Sequence, residues 1–157
     1  MKKITEEWLN AARDDLRVAD KIISDETLTH MVAFHSQQCI EKALKAIMEE
    51  CNMELVRIHN LQRLLEIVKS HVMIDVDIVL IEMMDKLYID SRYPADFGLL
   101  PDGKPDIEDA EAFYDAAKRT YEAVKIHLEK ASQSKPIEEA SPPAWQIRKT
   151  AAKSDNK

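Results

Sequence analysis

The sequence predicts an all-α protein folded as an antiparallel, up-and-down bundle of four to five helices. Apolar residues recur at helical spacing in five separate segments of the chain. Only two glycines occur, Gly98 and Gly103, which leaves little material for tight hairpin turns. The connections between the helical segments are modest in length, and modest connections favour neighbouring helices that run in opposite directions.

Composition limits the possible functions. A chain of 157 residues can form one hydrophobic core without a metal or a disulfide, and we expect no cofactor. The net charge of −7 argues against broad binding to duplex nucleic acid, which depends on many Lys and Arg contacts to phosphate. No apolar run approaches the roughly 18 residues of a membrane span, and the N-terminus does not resemble a signal peptide. We therefore expect a cytoplasmic protein.

The first helix is predicted to begin at Thr5, with Glu6 and Glu7 in its first turn, where acidic side chains are favourable. The polar run 24–27 breaks its helical pattern. Its apolar positions are Trp8, Leu9, Ala12, Leu16, Ala19, Ile22 and Ile23.

The second helix, from about Thr29 to Cys51, is the element on which the others are expected to pack. One arc of this helix is apolar, and the opposite arc is polar. We expect the polar arc either to be a solvated face with a Glu41–Lys45 pair or to bind a ligand. We expect Lys45→Ala to cost little stability and to act on binding instead. The apolar arc holds Ala33, Ile40, Ala43, Leu44, Ile47 and Cys51, and the polar arc holds His35, Gln38, Glu41, Lys42, Lys45 and Glu49.

Three residues of this helix need separate comment. Gln37 falls inside the apolar arc, so it requires a hydrogen-bond partner from another helix or another subunit. Cys39 and Cys51 are twelve residues apart, about 18 Å along a helix, which is too far for a disulfide. We interpret both as small core residues in a reducing compartment.

Two shorter helices follow. Asn60 is a plausible N-cap for the third helix, which carries Leu61, Leu64, Leu65 and Val68. Asp75 or Asp77 can cap the fourth helix, whose end near Ser91 or Arg92 is set by Pro94. The apolar positions of the fourth helix are Ile78, Ile81, Met84, Leu87 and Tyr88.

A loop of about a dozen residues, 93–105, precedes the fifth helix, and loops of this length are usually functional or mobile. Asp106 is the predicted N-cap of the fifth helix. The core positions of that helix are Ala110, Phe113, Ala117, Tyr121, Val124 and Leu128.

The composition changes after Ala131. We assign 1–131 to the helical bundle and 132–157 to a disordered tail, which carries a charge of +2 and leaves −9 on the bundle. Trp145 is either an ordinary tail residue or part of a docking segment, Ala144–Arg148, that becomes ordered on a partner.

A candidate binding site lies where the fourth helix ends. Arg92 stands between a helix end and a proline-fixed loop, where its guanidinium could fork around a phosphate. Tyr93 adds a flat ring for a base or a ribose. The alternative is structural: Arg92 would bond to the last carbonyls of its helix or to Asp90 or Asp96, and Tyr93 would pack.

The segment Gln37–Ala46, then His59-Asn60-Leu61, then Ser91-Arg92-Tyr93-Pro94, spread over five helices, resembles the HEPN (higher eukaryotes and prokaryotes nucleotide-binding) domain family in its stand-alone prokaryotic form. The likeness covers about Trp8 to Glu129. It implies a helical bundle that pairs as a homodimer, with a nucleotide- or RNA-binding cleft between the subunits. It also implies a partner, a small nucleotidyltransferase of the polymerase-β type, in a toxin–antitoxin-like pair.

Catalytic members of the family that the chain resembles are metal-independent ribonucleases in which four to six residues lie between an Arg and a His. This sequence has Arg92, but Phe97, Gly98 and Leu99 follow at that distance, and none of them can exchange a proton. A ribonuclease would need a histidine from elsewhere, and His35 on the polar arc of the second helix is the best placed.

We therefore expect a non-catalytic nucleotide- or RNA-binding module. Its expected ligand-binding residues are Gln38, Lys42, Lys45, Arg92 and Tyr93, with Glu41 orienting Lys45. One alternative is a ribonuclease toxin that uses Arg92 and His35. The other is a protein-interaction subunit with no nucleotide ligand.

Overall fold

The chain folds into a bundle of five helices, and the part that the structure describes contains no strand. The computed structural model describes residues 1–55, 57–90 and 104–133. The predicted all-α bundle is confirmed. The helices are α1 (Lys3–Ile22), α2 (Thr29–Glu50), α3 (Leu61–Val68), α4 (Ile78–Asp90) and α5 (Ile107–Gln133).

Helix α2 is the central element, since it contacts all four other helices. Residues from both of its predicted arcs are buried, including Leu44 on the apolar side and Glu41 on the polar side. Around the apolar side, each of the other helices contributes buried residues to one core. Its members include Ala12, Ile40, Leu44, Ile47, Leu61, Leu64, Ile81, Met84 and Phe113.

The contacts between α1, α2 and α5 give the direction of each helix. Thr5 near the start of α1 donates a hydrogen bond to Glu50 at the end of α2, so α1 and α2 are antiparallel. Tyr114 near the start of α5 donates to Asp20 near the end of α1, so α5 is antiparallel to α1 as well. It follows that α5 runs in the same direction as α2.

Helix α4 runs against α2. The rings of Phe34 and Tyr88 stack with their centroids 5.9 Å apart, and one helical turn earlier on α4 the charge of Glu41 acts on Asp85. The beginning of α4 is therefore directed toward the end of the bundle where α2 and α5 terminate.

The helix caps largely follow the sequence. Asn60 accepts a hydrogen bond from Arg63 N at the start of α3, Asp77 accepts from Val79 N at the start of α4, and Asp106 and Asp109 bond to each other's backbone at the start of α5. The predicted start at Thr5 was wrong. Helix α1 begins at Lys3, and Thr5 lies fully buried inside it. The Thr5 hydroxyl donates a hydrogen bond to Glu50.

Further predictions concern a position at the start of a helix and the ends of the bundle. Ile78, an apolar position of the predicted fourth helix, is 53% exposed, because it lies at the very start of α4. Helix α5 continues through Ser132 and Gln133, two residues beyond the expected end of the bundle. Residues 91–103 and 134–157 lie outside the described residues, so the predictions of a long loop and a disordered tail stay predictions.

Candidate functional site

A buried carboxylate, that of Glu41, is the centre of the polar side of α2. Its side chain is 6% exposed, and it accepts a hydrogen bond of 2.7 Å from Lys45 Nζ. His59, in the segment before α3, approaches the same carboxylate through Nδ1 at 3.0 Å. The Glu41 carboxylate thus joins the Lys45 ammonium on α2 to the His59 imidazole before α3. These two contacts compensate the buried negative charge of Glu41.

Gln37 completes this network from the next turn of α2. It is fully buried, and its Nε2 donates to the backbone oxygen of His59 at 2.8 Å. Its Oε1 accepts from Gln38 Nε2 at 2.8 Å. The predicted need for a partner is therefore met within the same chain, by a non-helical segment rather than by another helix or another subunit.

A second carboxylate, that of Asp15 on α1, binds the other end of the polar arc. His35 Nδ1 lies 2.9 Å from Asp15 Oδ1, and Lys42 Nζ lies 2.5 Å from Asp15 Oδ2. Burial raises the pKa of Asp15, but the hydrogen bonds from His35 and Lys42 and their positive charges outweigh it. The net effect is a pKa below the usual 3.8.

These two networks correct the expectation that the polar arc of α2 is a free face. Glu41 and Lys45 are 4% and 7% exposed, because α1 and the segment before α3 pack against them. Lys42 and His35 are engaged by Asp15. The expectation that Lys45→Ala costs little stability was based on exposure of Lys45, and that basis was wrong.

A cavity of about 280 Å³ opens beside the Glu41 network, between α1, α2 and the segment before α3. The Lys45 ammonium lies 5.8 Å from the centre of the Trp8 ring, within the range of a cation–π contact. The side chain of His59 is 45% exposed on the cavity wall. The lining residues are Trp8, Lys45, Leu55, Arg57 and His59.

The side chains of this lining suit a ligand that carries both a phosphate group and an aromatic base. Arg57 is exposed and forms no ion pair with any described residue, so its guanidinium is available to fork around a phosphate. The half-buried Trp8 offers an indole on which a base can stack. With Nδ1 of His59 held by Glu41, Nε2 is the ring nitrogen left for a ligand.

Tyr88, near the described end of α4, approaches the cavity wall. The Tyr88 ring lies 5.6 Å from the His59 ring, centroid to centroid. Arg92 and Tyr93 follow four and five positions later in the sequence, and both lie outside the described residues. Of the predicted ligand-binding residues, the structure thus brings Lys45 to the cavity and engages Lys42 and Gln38 in the networks beside it.

Sequence reasoning missed Asp15 and Arg57 and treated Trp8 only as a core residue. For Asp15 a signal was available, because it lies seven residues after Trp8 and within the stripe that includes Ala12 and Ala19. A carboxylate on that stripe needs a buried partner. For Arg57, in a non-helical connection, no periodic signal exists.

Residues 1–55, 57–90 and 104–133 contain neither a metal site nor a membrane span. No group of three or more His, Cys, Asp or Glu side chains in these ranges is arranged to hold a metal ion. None of the five helices, as far as they are described, is both long enough and apolar enough to cross a membrane.

Comparison with known proteins identifies the family. A sequence profile of the HEPN domain matches residues 5–127, which is most of the chain and includes both charged networks and the cavity. The chain belongs to the HEPN domain family. The resemblance drawn from the sequence is thereby confirmed.

Two solved structures are similar to this HEPN domain. The crystal structure of TT1696 from Thermus thermophilus is 27% identical, with a TM-score of 0.65, and the alignment covers 80% of this chain and 99% of that one. The structure of ST0689, an archaeal HEPN homologue, is also 27% identical, with a TM-score of 0.59 and coverage of 82% and 99%. No curated protein matches this HEPN domain.

Proposed function

We propose that this HEPN domain is a non-catalytic, cytoplasmic module that binds a nucleotide or a short RNA segment in the cavity beside Glu41. The observation that supports the proposal most is the placement of Arg57, without an ion-pair partner among the described residues, and the Trp8 indole on one cavity. Such a local cationic and aromatic site can bind a nucleotide even though the whole chain has a net charge of −7.

The proposed roles follow from the contacts of each side chain. Arg57 binds phosphate oxygens, Trp8 stacks on a base, and His59 donates or accepts a hydrogen bond through Nε2. Lys45 forms an ion pair with Glu41 that offsets its positive charge, so Lys45 contributes less to phosphate binding than an unpaired lysine would. In the same proposal Lys42 and Gln38 act indirectly, through Asp15 and Gln37.

Arg92 and Tyr93 keep the roles that the sequence predicts for them, a phosphate contact and a stacking ring. The support is the contact between Tyr88, which precedes them in the chain, and His59 on the cavity wall. If the proposal holds, Arg92→Ala and Arg57→Ala weaken binding of the same ligand.

Homodimer formation and pairing with a small nucleotidyltransferase are further parts of the proposal, and family membership supports them. Light scattering of the purified protein during gel filtration measures the oligomeric state. Co-expression with a small nucleotidyltransferase of the polymerase-β type, followed by affinity purification, measures the pairing. A monomer that retains no such enzyme contradicts this part of the proposal without affecting ligand binding.

The binding proposal is tested by titrating the protein with fluorescently labelled single-stranded RNA and with ATP and GTP. Arg57→Ala removes a contact between two charged groups, so we expect about a tenfold or greater loss of affinity, from a net contribution of about 1.5–3 kcal/mol. Arg119→Ala is the matched control, because Arg119 is also exposed but lies on α5 and does not line the cavity.

Equal affinities of Arg57→Ala and Arg119→Ala would contradict the cavity as the binding site. Absence of binding by the unmodified protein to all three ligands would contradict the nucleotide- or RNA-binding function. It would favour the protein-interaction alternative.

A second candidate function, ribonuclease activity, is supported by the Glu41–His59 pair. A carboxylate that holds Nδ1 leaves Nε2 free to act as a general base, and His59 is more exposed than His35, with 45% against 19% of the side chain accessible. In this candidate His59 replaces His35. Nε2 removes the proton of a 2′-hydroxyl, the 2′-oxygen attacks the adjacent phosphorus, and the 5′-oxygen leaves and is protonated by water, while Arg57 stabilises the charge.

An assay with 2′-deoxy-substituted RNA separates the two candidates. Ribonuclease activity would produce 2′,3′-cyclic phosphate ends and would be lost with His59→Gln and with the 2′-deoxy substrate. Binding without cleavage of either substrate supports the non-catalytic module.

A further inference from the structure

An apolar groove lies between the end of α3 and the beginning of α4, and it shares no lining residue with the Glu41 cavity. Its volume is about 650 Å³. The apolar part of its lining consists of Leu65, Val68, Val72, Met73, Ile74, Val76 and Ile78. A groove of this size and composition can accept one or two large apolar side chains of a peptide segment.

The residues at its rim leave apolar surface in contact with water. Met73 is 93% exposed and Ile78 is 53% exposed. The neighbouring Val79, on the first turn of α4, is 65% exposed. Contiguous exposed apolar residues around a groove are typical of an interaction site.

The charges of the groove favour a basic occupant. Glu66 and Asp75 belong to its lining, and Lys69, its one lysine, forms an ion pair with Glu66. Asp77 and Glu82 are exposed on the adjoining surface of α4 and its N-cap. The lining, with Glu66 and Asp75 against Lys69, therefore carries two negative charges and one positive charge.

The chain itself contains a segment with the matching pattern. After α5, the sequence Ala144-Trp145-Gln146-Ile147-Arg148-Lys149 places two large apolar residues next to two cations. Trp145 and Ile147 alternate with polar positions, as in an extended segment that buries every second side chain. The apolar pair matches the groove, and the cations match its acidic rim.

The topology makes the groove accessible to this segment. Because α5 runs parallel to α2 and α4 runs against it, α5 ends at the end of the bundle toward which the start of α4 is directed. Ten residues, 134–143, separate the end of α5 from Ala144, and they can span up to roughly 33 Å.

We propose that the segment Ala144–Lys149 docks into the α3–α4 groove of its own chain. In this arrangement Trp145 and Ile147 fill the groove, and Arg148 and Lys149 face Glu66 and Asp75. The docked tail protects the exposed Met73 and Ile78 from other proteins.

Tryptophan fluorescence tests this proposal on the full-length chain. Trp8→Phe leaves Trp145 as the single tryptophan, whose emission wavelength and quenching by acrylamide report its exposure. We expect blue-shifted emission and quenching several-fold weaker than for a peptide of residues 140–157. Met73→Lys in the same background places a cation in the groove and should restore peptide-like quenching.

Ile126→Lys is the matched control, because Ile126 is an apolar residue of α5 that is 50% exposed and does not line the groove. It should leave Trp145 protected. Circular dichroism of each variant shows that the helices are retained.

Peptide-like quenching of Trp145 in the otherwise unmodified background would overturn the proposal. Protection that survives Met73→Lys would do the same, since the tail would then lie elsewhere. Protection that disappears on dilution would assign the docking to a second copy and overturn docking within one chain.

Discussion

Glu41 on α2 and His59 before α3 are held together, with His59 Nδ1 lying 3.0 and 3.2 Å from the two carboxylate oxygens. This contact holds the connection before α3, whose described residues are not helical, against α2. Arg57 lies two residues before His59 in that segment, so the pair also determines where the guanidinium lies relative to Trp8. The stability of the bundle and the shape of the cavity therefore depend on the same carboxylate.

Glu41→Gln should destabilise the protein strongly. The substitution leaves the Lys45 ammonium, whose side chain is 9% exposed, without its anionic partner, and breaking a buried pair costs about 3–5 kcal/mol. Urea unfolding followed by circular dichroism measures the loss. Glu129→Gln is the control, because its pair with Lys125 is half exposed and should contribute less than about 1 kcal/mol. Equal stabilities of the two variants would contradict this account of α2.

Asp15→Asn should destabilise the protein at neutral pH by about 1–3 kcal/mol, since Lys42 and His35 lose a charged acceptor. Asp15 has a pKa in the folded protein below the usual 3.8; burial raises this pKa, but the hydrogen bonds from His35 and Lys42 outweigh burial. Its contribution is therefore fully present above pH 3.8 and is lost as the pH falls through the folded-state pKa.

Unfolding of the wild-type protein and of Asp15→Asn should thus be compared between pH 7 and acidic pH. The difference in unfolding free energy should shrink as the solution becomes acidic. A difference that stays constant down to the acid transition would mean that the Asp15 carboxylate does not stabilise the fold through its charge.

Leu44→Ala should cost about 2–5 kcal/mol, because Leu44 is fully buried where α2 meets the core and the substitution leaves a cavity. Thermal or urea unfolding measures the change. Ile126→Ala, at a position that is 50% exposed, should change stability far less. A mild effect of Leu44→Ala would contradict the assignment of the apolar side of α2.

Cys39 should resist alkylation in the folded protein. It is fully buried, and burial raises the pKa of its thiol to about 12, so the reactive thiolate is scarce at neutral pH. Cys51 is partly accessible and should react first with iodoacetamide. Mass spectrometry of peptides before and after denaturation measures both rates, and rapid labelling of Cys39 in the native protein would contradict its position in the core.

The helices were predictable because their signals are local. The periodicity of Leu44 and its neighbours, and the caps at Asn60, Asp77 and Asp106, each depend on a few consecutive residues. The start of α1 was not predictable from the same rules. Thr5 is a good capping residue, but the bond that it makes is to Glu50, 45 positions away.

The site was harder to predict because its partners are distant in sequence. Glu41 and Lys45 have the spacing of an exposed pair, but Trp8 and His59 pack against them and the pair is buried. A single sequence contains no signal for which segment covers a polar arc. Gln37 was the exception, since its position in the apolar arc required a partner.

The most direct test of the central claim is the fluorescence of Trp8 in a Trp145→Phe background during addition of single-stranded RNA or nucleotide. If the ligand stacks in the cavity, it quenches Trp8 emission, and the quenching curve gives the same dissociation constant as calorimetry. Arg57→Ala raises that dissociation constant about tenfold or more in both measurements. Binding that calorimetry detects while Trp8 emission stays unchanged, with Arg57→Ala binding as tightly as Arg119→Ala, would contradict the account.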